Sequence, residues 1–299
     1  MSLTRTFGAW VDSLPPADRE AARTTLLRLG PASSGTSWDD LVRLEPNRSL
    51  PLLVAPDCLD AISDSVVQRF LKAHRIGGFF GFLLDRLSDE QLERSEESAR
   101  TCRLLGLAWH DALTDALGDW SKAAAVITSS LQRWRQGTTF EEVCLRDGNL
   151  EPFYAQISRL KNGWVASTTV AMLRAHGRPA MAEALARSYD CFLFALQCHD
   201  DVDDALEDEE GRGRSIPDAL GIPPGALLHA VPLLIARAAA EARSGGLHTF
   251  GHWLDTFQSQ RQCEARSRDF HRESLLAMIV AARMDQELAV MRNVENQRD

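Results

Sequence analysis

The residues best suited to chemistry are concentrated between Gln197 and Arg214, where Asp200, Asp201, Asp203, Asp204, Glu207, Asp208, Glu209 and Glu210 put eight acids into eleven positions. They follow directly on the apolar run Cys191-Phe192-Leu193-Phe194-Ala195-Leu196. At about 100° per residue, Gln197, Asp200, Asp201, Asp204 and Asp208 fall within one arc of roughly 100°, and Asp203 and Glu207 lean away from it. Like charges one helical turn apart repel. A cation is therefore expected on that face: either a hard divalent metal, which takes carboxylate oxygens, or basic side chains from elsewhere in the chain. An EF-hand loop does not fit, because counting from Asp201 its fifth and sixth positions are Ala205 and Leu206, where an oxygen donor and a glycine are needed.

A smaller acid pair ends another apolar stretch. Phe79-Phe80-Gly81-Phe82-Leu83-Leu84 is followed by Asp85-Arg86-Leu87-Ser88-Asp89-Glu90, with Asp85 and Asp89 at i and i+4 on one helix face. Two apolar helices, far apart in sequence, thus finish in carboxylates. The expectation is that they face each other across one cavity mouth and share metals.

The elements that must carry these residues read as helices throughout. Pro15-Pro16 opens one that ends at Gly30-Pro31, and Ser37 or Asp39 caps a short one through Leu44. Residues 33–37 and the Pro46 to Pro56 region read as connectors. From Cys58 onward a helical period dominates. Further helices are expected over Ile76–Leu87, Gln91–Ala116, Trp120–Gln136, Glu141–Cys144, Leu150–Arg174, Pro179–Asp208, Pro224–Ala240, Leu247–Asp269 and Glu273–Asn293. No alternating strand pattern or internal repeat is present. The fold class expected is all-α, in one domain over residues 1–299, with N-terminal helices and connectors over 1–56 and a helical bundle over 57–299.

The net charge of −9 is almost wholly local, since the run from Asp200 to Glu210 supplies eight of those negative charges. No basic stripe suggests a nucleic-acid surface. The six cysteines have no CxxC spacing and read as reduced core residues. The opening residues lack the apolar stretch of a signal peptide, and His229 and Pro232 interrupt the Leu227–Ala240 run, so no membrane span and a cytoplasmic location are expected.

Gln197-Cys198-His199-Asp200-Asp201-Val202-Asp203-Asp204 resembles the second aspartate-rich motif, Q-x-x-D-D-x-x-D, of the trans-prenyl diphosphate synthases in the class I isoprenoid synthase superfamily. Gly213-Arg214 stands where a Gly-Lys follows that motif. Asp204-x-x-x-Asp208 with Gly211-Arg212-Gly213-Arg214 and Pro217 is similar to a segment of phytoene synthases. Asp85-x-x-x-Asp89 resembles the first motif, with Arg86 where a second aspartate would stand. Lys161-Asn162 takes the place of a diphosphate-binding Lys-Thr pair.

The resemblance implies an isoprenoid-synthase-type helical bundle around a central apolar cavity, with up to three Mg²⁺ ions on Asp85, Asp89, Asp200, Asp201, Asp204 and Asp208. It gives Asp200, Asp201 and Asp204 the catalytic role. Arg214, Lys161, Arg212 and Gln197 would bind the substrate diphosphate, and Phe79, Phe82, Trp164 and Phe192 would line the cavity. His199 is read either as a neighbour supporting Asp200 or as a packed helix histidine, and Arg75, Arg174 and Arg178 as surface cations.

The basic segments that build an isopentenyl diphosphate site are absent from the matching stretches: Glu90-Gln91-Leu92-Glu93-Arg94-Ser95-Glu96 follows the first motif. The function expected is therefore a Mg²⁺-dependent terpene synthase that ionises one linear prenyl diphosphate. The alternatives are a chain-elongating or head-to-head prenyltransferase and, in a different class, a non-catalytic helical binding protein. A homodimer is common among the proteins resembled.

Overall fold

The computed structural model describes residues 2–29, 37–88, 91–150 and 154–265. Among them are fourteen α-helices, one 3₁₀ turn at Ala55–Cys58 and no strand, so the all-α expectation holds. The helices are α1 Leu3–Ser13, α2 Pro16–Leu29, α3 Trp38–Leu41, α4 Glu45–Val54, α5 Asp64–Ser88, α6 Glu96–Leu117, α7 Trp120–Asp147, α8 Tyr154–Asn162, α9 Trp164–Ala175, α10 Pro179–Asp203, α11 Ala205–Arg212, α12 Ile216–Leu220, α13 Pro224–Ser244 and α14 His248–Ala265. The helix expected over Glu273–Asn293 lies outside the described residues.

The chain divides into two compact units. Residues to Ser129 with Val165–Pro179 form the first, and Ser130–Trp164 with the chain from Ala180 onward form the second. In the first, α5 packs along α6, with α4 against α5 and α2 against α6. An aromatic cluster fills its core: Phe79 meets Phe7 edge-on at 5.4 Å and Trp38 at 4.6 Å. Close helix approach depends on Gly77, where a Cβ would stand 2.6 Å from Trp109 Nε1.

Helix α1 has no counterpart in the expected elements, yet its signal is in the sequence. Ser2 caps it by accepting from Arg5 N, and Leu3, Phe7, Trp10 and Val11 bury one face at helical spacing. Asp39 completes the start, accepting from the backbone N–H groups of Leu3 at 2.9 Å and Thr4 at 3.1 Å. Against the desolvation that burial imposes, the Thr4 hydroxyl, those two backbone bonds and Arg48 hold its carboxyl down at about 2. Arg75, read as a surface cation, is instead buried, donating from Nε to Arg48 O at 3.1 Å and from Nη1 to Thr6 Oγ1 at 3.3 Å.

The Pro46 to Pro56 connector is also corrected: through Val54 it is the helix α4, and Ala55-Pro56 begin the 3₁₀ turn. Pro46 sits in the first turn, where no N–H is needed, and Ser49 leaves helical geometry (φ −154°, ψ 28°), so Pro51 restarts the helix beyond a kink.

In the second unit α13 and α14 pair as an antiparallel hairpin across Gly245-Gly246. Ser188 on α10 donates to Ala238 O on α13 at 2.7 Å, and Arg187 binds Glu241 at 3.0 Å. Phe192 is enclosed by Tyr189, Trp253 and Phe257. Among the described residues one helix, α13, is long and apolar enough to cross a membrane; more than half of that stretch is buried within the fold.

The helix expected to stop at Gln136 runs unbroken through Gly137 to Asp147. Gly137 is a contact rather than a break, since a Cβ there would meet Lys161 N at 2.7 Å and Leu160 Cβ at 2.8 Å on α8. Among the five cysteines whose side chains are described none is in a disulfide, and all but the half-buried Cys102 lie in the core.

Candidate functional site

The acidic segment is built as expected up to its last turn. Helix α10 is apolar and buried through Phe192, Phe194 and Cys198, and brings its acids to the edge of the core, with Asp200 exposed and Asp201 buried. The continuous helix expected to Asp208 is interrupted at Asp204, whose φ of −89° and ψ of 2° end α10 and begin α11. The bonds Asp204 N to Asp200 O and Asp208 N to Asp204 O, at 2.8 and 2.9 Å, persist across the bend. Like repeating charges thus remain stacked at i,i+4.

The shared arc is divided by the edge of the core. On an ideal helix the order away from Asp200 is Asp204 at about 40°, Gln197 at about 60° and Asp201 at about 100°. Burial follows that order: Asp200 and Asp204 are exposed, Gln197 is half-buried and Asp201 is buried; Asp208, beyond the bend on α11, is buried as well. The expectation that all five present themselves alike is therefore corrected.

Asp201 is held by a polar network. Its Oδ2 accepts from Tyr154 Oη, and its Oδ1 accepts from Gln197 Nε2 at 2.7 Å. Gln197 Oε1 accepts in turn from Asn162 Nδ2 at 3.3 Å. Burial is the main influence on the carboxyl, pushing it up to about 7; the two donated bonds oppose this, and Glu141 and Asp200 add to it. Burial likewise raises the Tyr154 hydroxyl and the Cys198 thiol well above their ordinary values.

The expected cations take other partners. Lys161 Nζ lies 2.7 Å from Glu141 Oε2, both side chains largely buried. Arg214 is exposed on the surface and donates from Nη2 to Asp218 O at 3.1 Å, and Gly213 serves as the left-handed C-cap of α11 (φ 72°). The Arg212 side chain and Asp89 lie outside the described residues. Asp85 is half-buried near the end of α5 in the first unit, beside Arg86, whose guanidinium stands 5.1 Å over the Phe82 ring. His199 pairs through Nδ1 with Asp203 Oδ2 at 3.0 Å, which gives it a neighbour other than the Asp200 considered from sequence.

Sequence reasoning missed Tyr154, Glu141, Arg133, Arg159 and Asp190. Arg133 and Arg159 approach Asp190 at 3.9 and 3.8 Å in the same unit as the acidic segment. No local pattern marks them, because α7, α8 and α10 bring them together from separate stretches. Of the four residues expected to line a cavity, Phe79 and Phe192 are wholly packed among other rings, while Phe82 and Trp164 retain partial exposure.

Among the described residues no group of three or more His, Cys, Asp or Glu side chains converges as a metal cage. Mg²⁺ does not require one, since it keeps several waters and takes one or two carboxylates together with substrate phosphates. Asp200 and Asp204, exposed and one turn apart, suit that mode. Asp201 is buried, with each oxygen already accepting one bond inside the protein. Comparison with family models, curated proteins and solved structures found no match for the chain.

Proposed function

We propose that the chain is a Mg²⁺-dependent terpene synthase of the class I type, acting on one linear prenyl diphosphate. The observation that carries this reading is the exposed pair Asp200 and Asp204 at the end of a buried apolar helix, on the arc shared with the motif residue Gln197. Two carboxylates one turn apart are the donor set that a magnesium ion shared with a diphosphate takes. Bound there, Mg²⁺ would act as a Lewis acid on the leaving diphosphate.

The chain's own residues would hold the anion and exclude water. Arg214 is the exposed cation beyond the acidic segment, and Lys161, Arg133 and Arg159 supply positive charge within the same unit. Lys161 reaches a diphosphate only by giving up or sharing Glu141. Trp164, in the same unit as the acidic segment, is the expected lining residue with surface to offer a prenyl chain. An aromatic face beside a developing allylic cation stabilises it by roughly 0.5–2 kcal/mol.

The test is incubation with C10, C15 and C20 prenyl diphosphates, with and without Mg²⁺, measuring released diphosphate and hydrocarbon. Magnesium-dependent release with a hydrocarbon product is expected. Longer prenyl diphosphates formed only when isopentenyl diphosphate is added would make the protein a prenyltransferase instead. Absence of release with every substrate would leave the binding-protein reading. Asp200→Ala and Asp204→Ala should each remove activity.

A further inference from the structure

We infer that Tyr154 is a positioning residue for the magnesium-binding carboxylates: by holding Asp201 inward it fixes the rotation of the last turn of α10 and so presents Asp200 and Asp204 together at the surface. The inference rests on the reading of Asp200 and Asp204 as metal ligands.

Tyr154 is the first residue of α8, buried, with its ring edge-on to Phe194 at 5.0 Å. Its hydroxyl reaches Asp201 across 47 residues of chain. The last residue of α8, Asn162, bonds Gln197, which bonds the other oxygen of Asp201. Helix α8 therefore grips α10 from both of its own ends, at two positions one turn apart. That grip falls immediately before the backbone leaves helical geometry at Asp204.

A helix terminus without lateral ties frays and samples other rotations. Asp200 and Asp201 are separated by about 100° around the axis, so turning Asp201 outward would swing Asp200 and Asp204 through the same angle and re-aim the pair. Which carboxylates face solvent is thus set by the partner found by the one that does not. Phenylalanine at position 154 would keep the ring contact with Phe194 and delete only the hydroxyl.

The experiment uses the full chain with inorganic diphosphate and Mn²⁺ as the probe, reading free Mn²⁺ by electron paramagnetic resonance. Tyr154→Phe should weaken Mn²⁺ binding at least tenfold, whereas Tyr189→Phe, a buried tyrosine on α10 itself, should leave it unchanged. Asp201→Asn should also weaken it, and Tyr154→Phe combined with Asp201→Asn should be no worse than the weaker single variant, as expected of residues acting through one contact. If Tyr154→Phe loses its helical circular dichroism, Gln197→Met removes the other donor to Asp201 and is read by the same criterion.

Wild-type Mn²⁺ affinity in Tyr154→Phe, with binding lost in Asp200→Asn, overturns the role of Tyr154 and leaves the metal reading standing. Undiminished binding in both Asp200→Asn and Asp204→Asn, or no binding by the unaltered protein, overturns the metal reading itself and the role of Tyr154 with it.

Discussion

Asp201 is the residue whose chemistry the fold changes most. Its carboxyl is raised from 3.8 to about 7. A raised pKa means that the folded state binds a proton the unfolded chain has released, so this contribution is fully present below about pH 4 and is lost as pH rises through 7. The upper bound is about 4 kcal/mol at 1.36 kcal/mol per unit. His74 acts in the opposite sense. Buried, with Nε2 3.0 Å from Pro46 O, it falls from 6.5 to about 4, so its contribution is present above 6.5 and is lost as pH drops through 4. Urea midpoints measured in EDTA should therefore change little between pH 4.5 and 6.5 in the wild type. In Asp201→Asn they should rise with pH over that interval; a variant profile no steeper than the wild type's would show that Asp201 does not titrate there.

The Lys161–Glu141 pair yields a second expectation at this scale. Each side chain is largely enclosed, so removing one partner strands the other. Lys161→Met should cost about 1–3 kcal/mol in urea unfolding, on the scale of a stranded buried polar group. Combining it with Glu141→Gln should recover a large part of that loss. Full additivity of the two variants would mean that the pair is not coupled.

At the scale of elements, the helices meet where glycine removes a Cβ. Gly137 lies in mid-helix, where alanine would gain about 1 kcal/mol by propensity alone. A Cβ there would meet α8 at 2.7–2.8 Å, so Gly137→Ala should instead destabilise, by about 1–3 kcal/mol through overpacking. Gly77→Ala, aimed at Trp109 from 2.6 Å, should do the same. An increase in the urea midpoint of either variant would contradict the close packing. The helix expected from the sequence stopped at Gln136; only the neighbour supplied by α8 distinguishes a contact at Gly137 from a break. By contrast, the start of α3 was legible, since Ser37, one of the two caps expected, forms a capping box with Asp40 locally, although the helix stops at Leu41 and not at Leu44.

For the whole molecule, a net charge of −9 arising almost entirely from residues 200–210 makes its electrostatics local. Divalent cations should therefore stabilise the fold by binding rather than by general screening. Mg²⁺ at ten times its dissociation constant would contribute about 1.4 kcal/mol by linkage. Thermal unfolding with MgCl₂ should show an upward shift that NaCl at equal ionic strength does not reproduce. The shift should vanish in Asp200→Asn combined with Asp204→Asn, and its persistence there would assign the cation to another part of the molecule.

The all-α class, the apolar approach of α10 to its acids and the sector holding Gln197, Asp200, Asp201, Asp204 and Asp208 follow from the sequence by itself, because periodicity and spacing are properties of one segment. What the tertiary structure decided is which side of the core boundary each of those residues occupies. Tyr154 lies 47 positions from Asp201, and Glu141 lies 20 from Lys161. No local rule connects residues so far apart in the chain. The buried acid, its donor and the paired lysine became visible only once α7, α8 and α10 were packed together, since desolvation and hydrogen bonding depend on what lies beside a side chain in space.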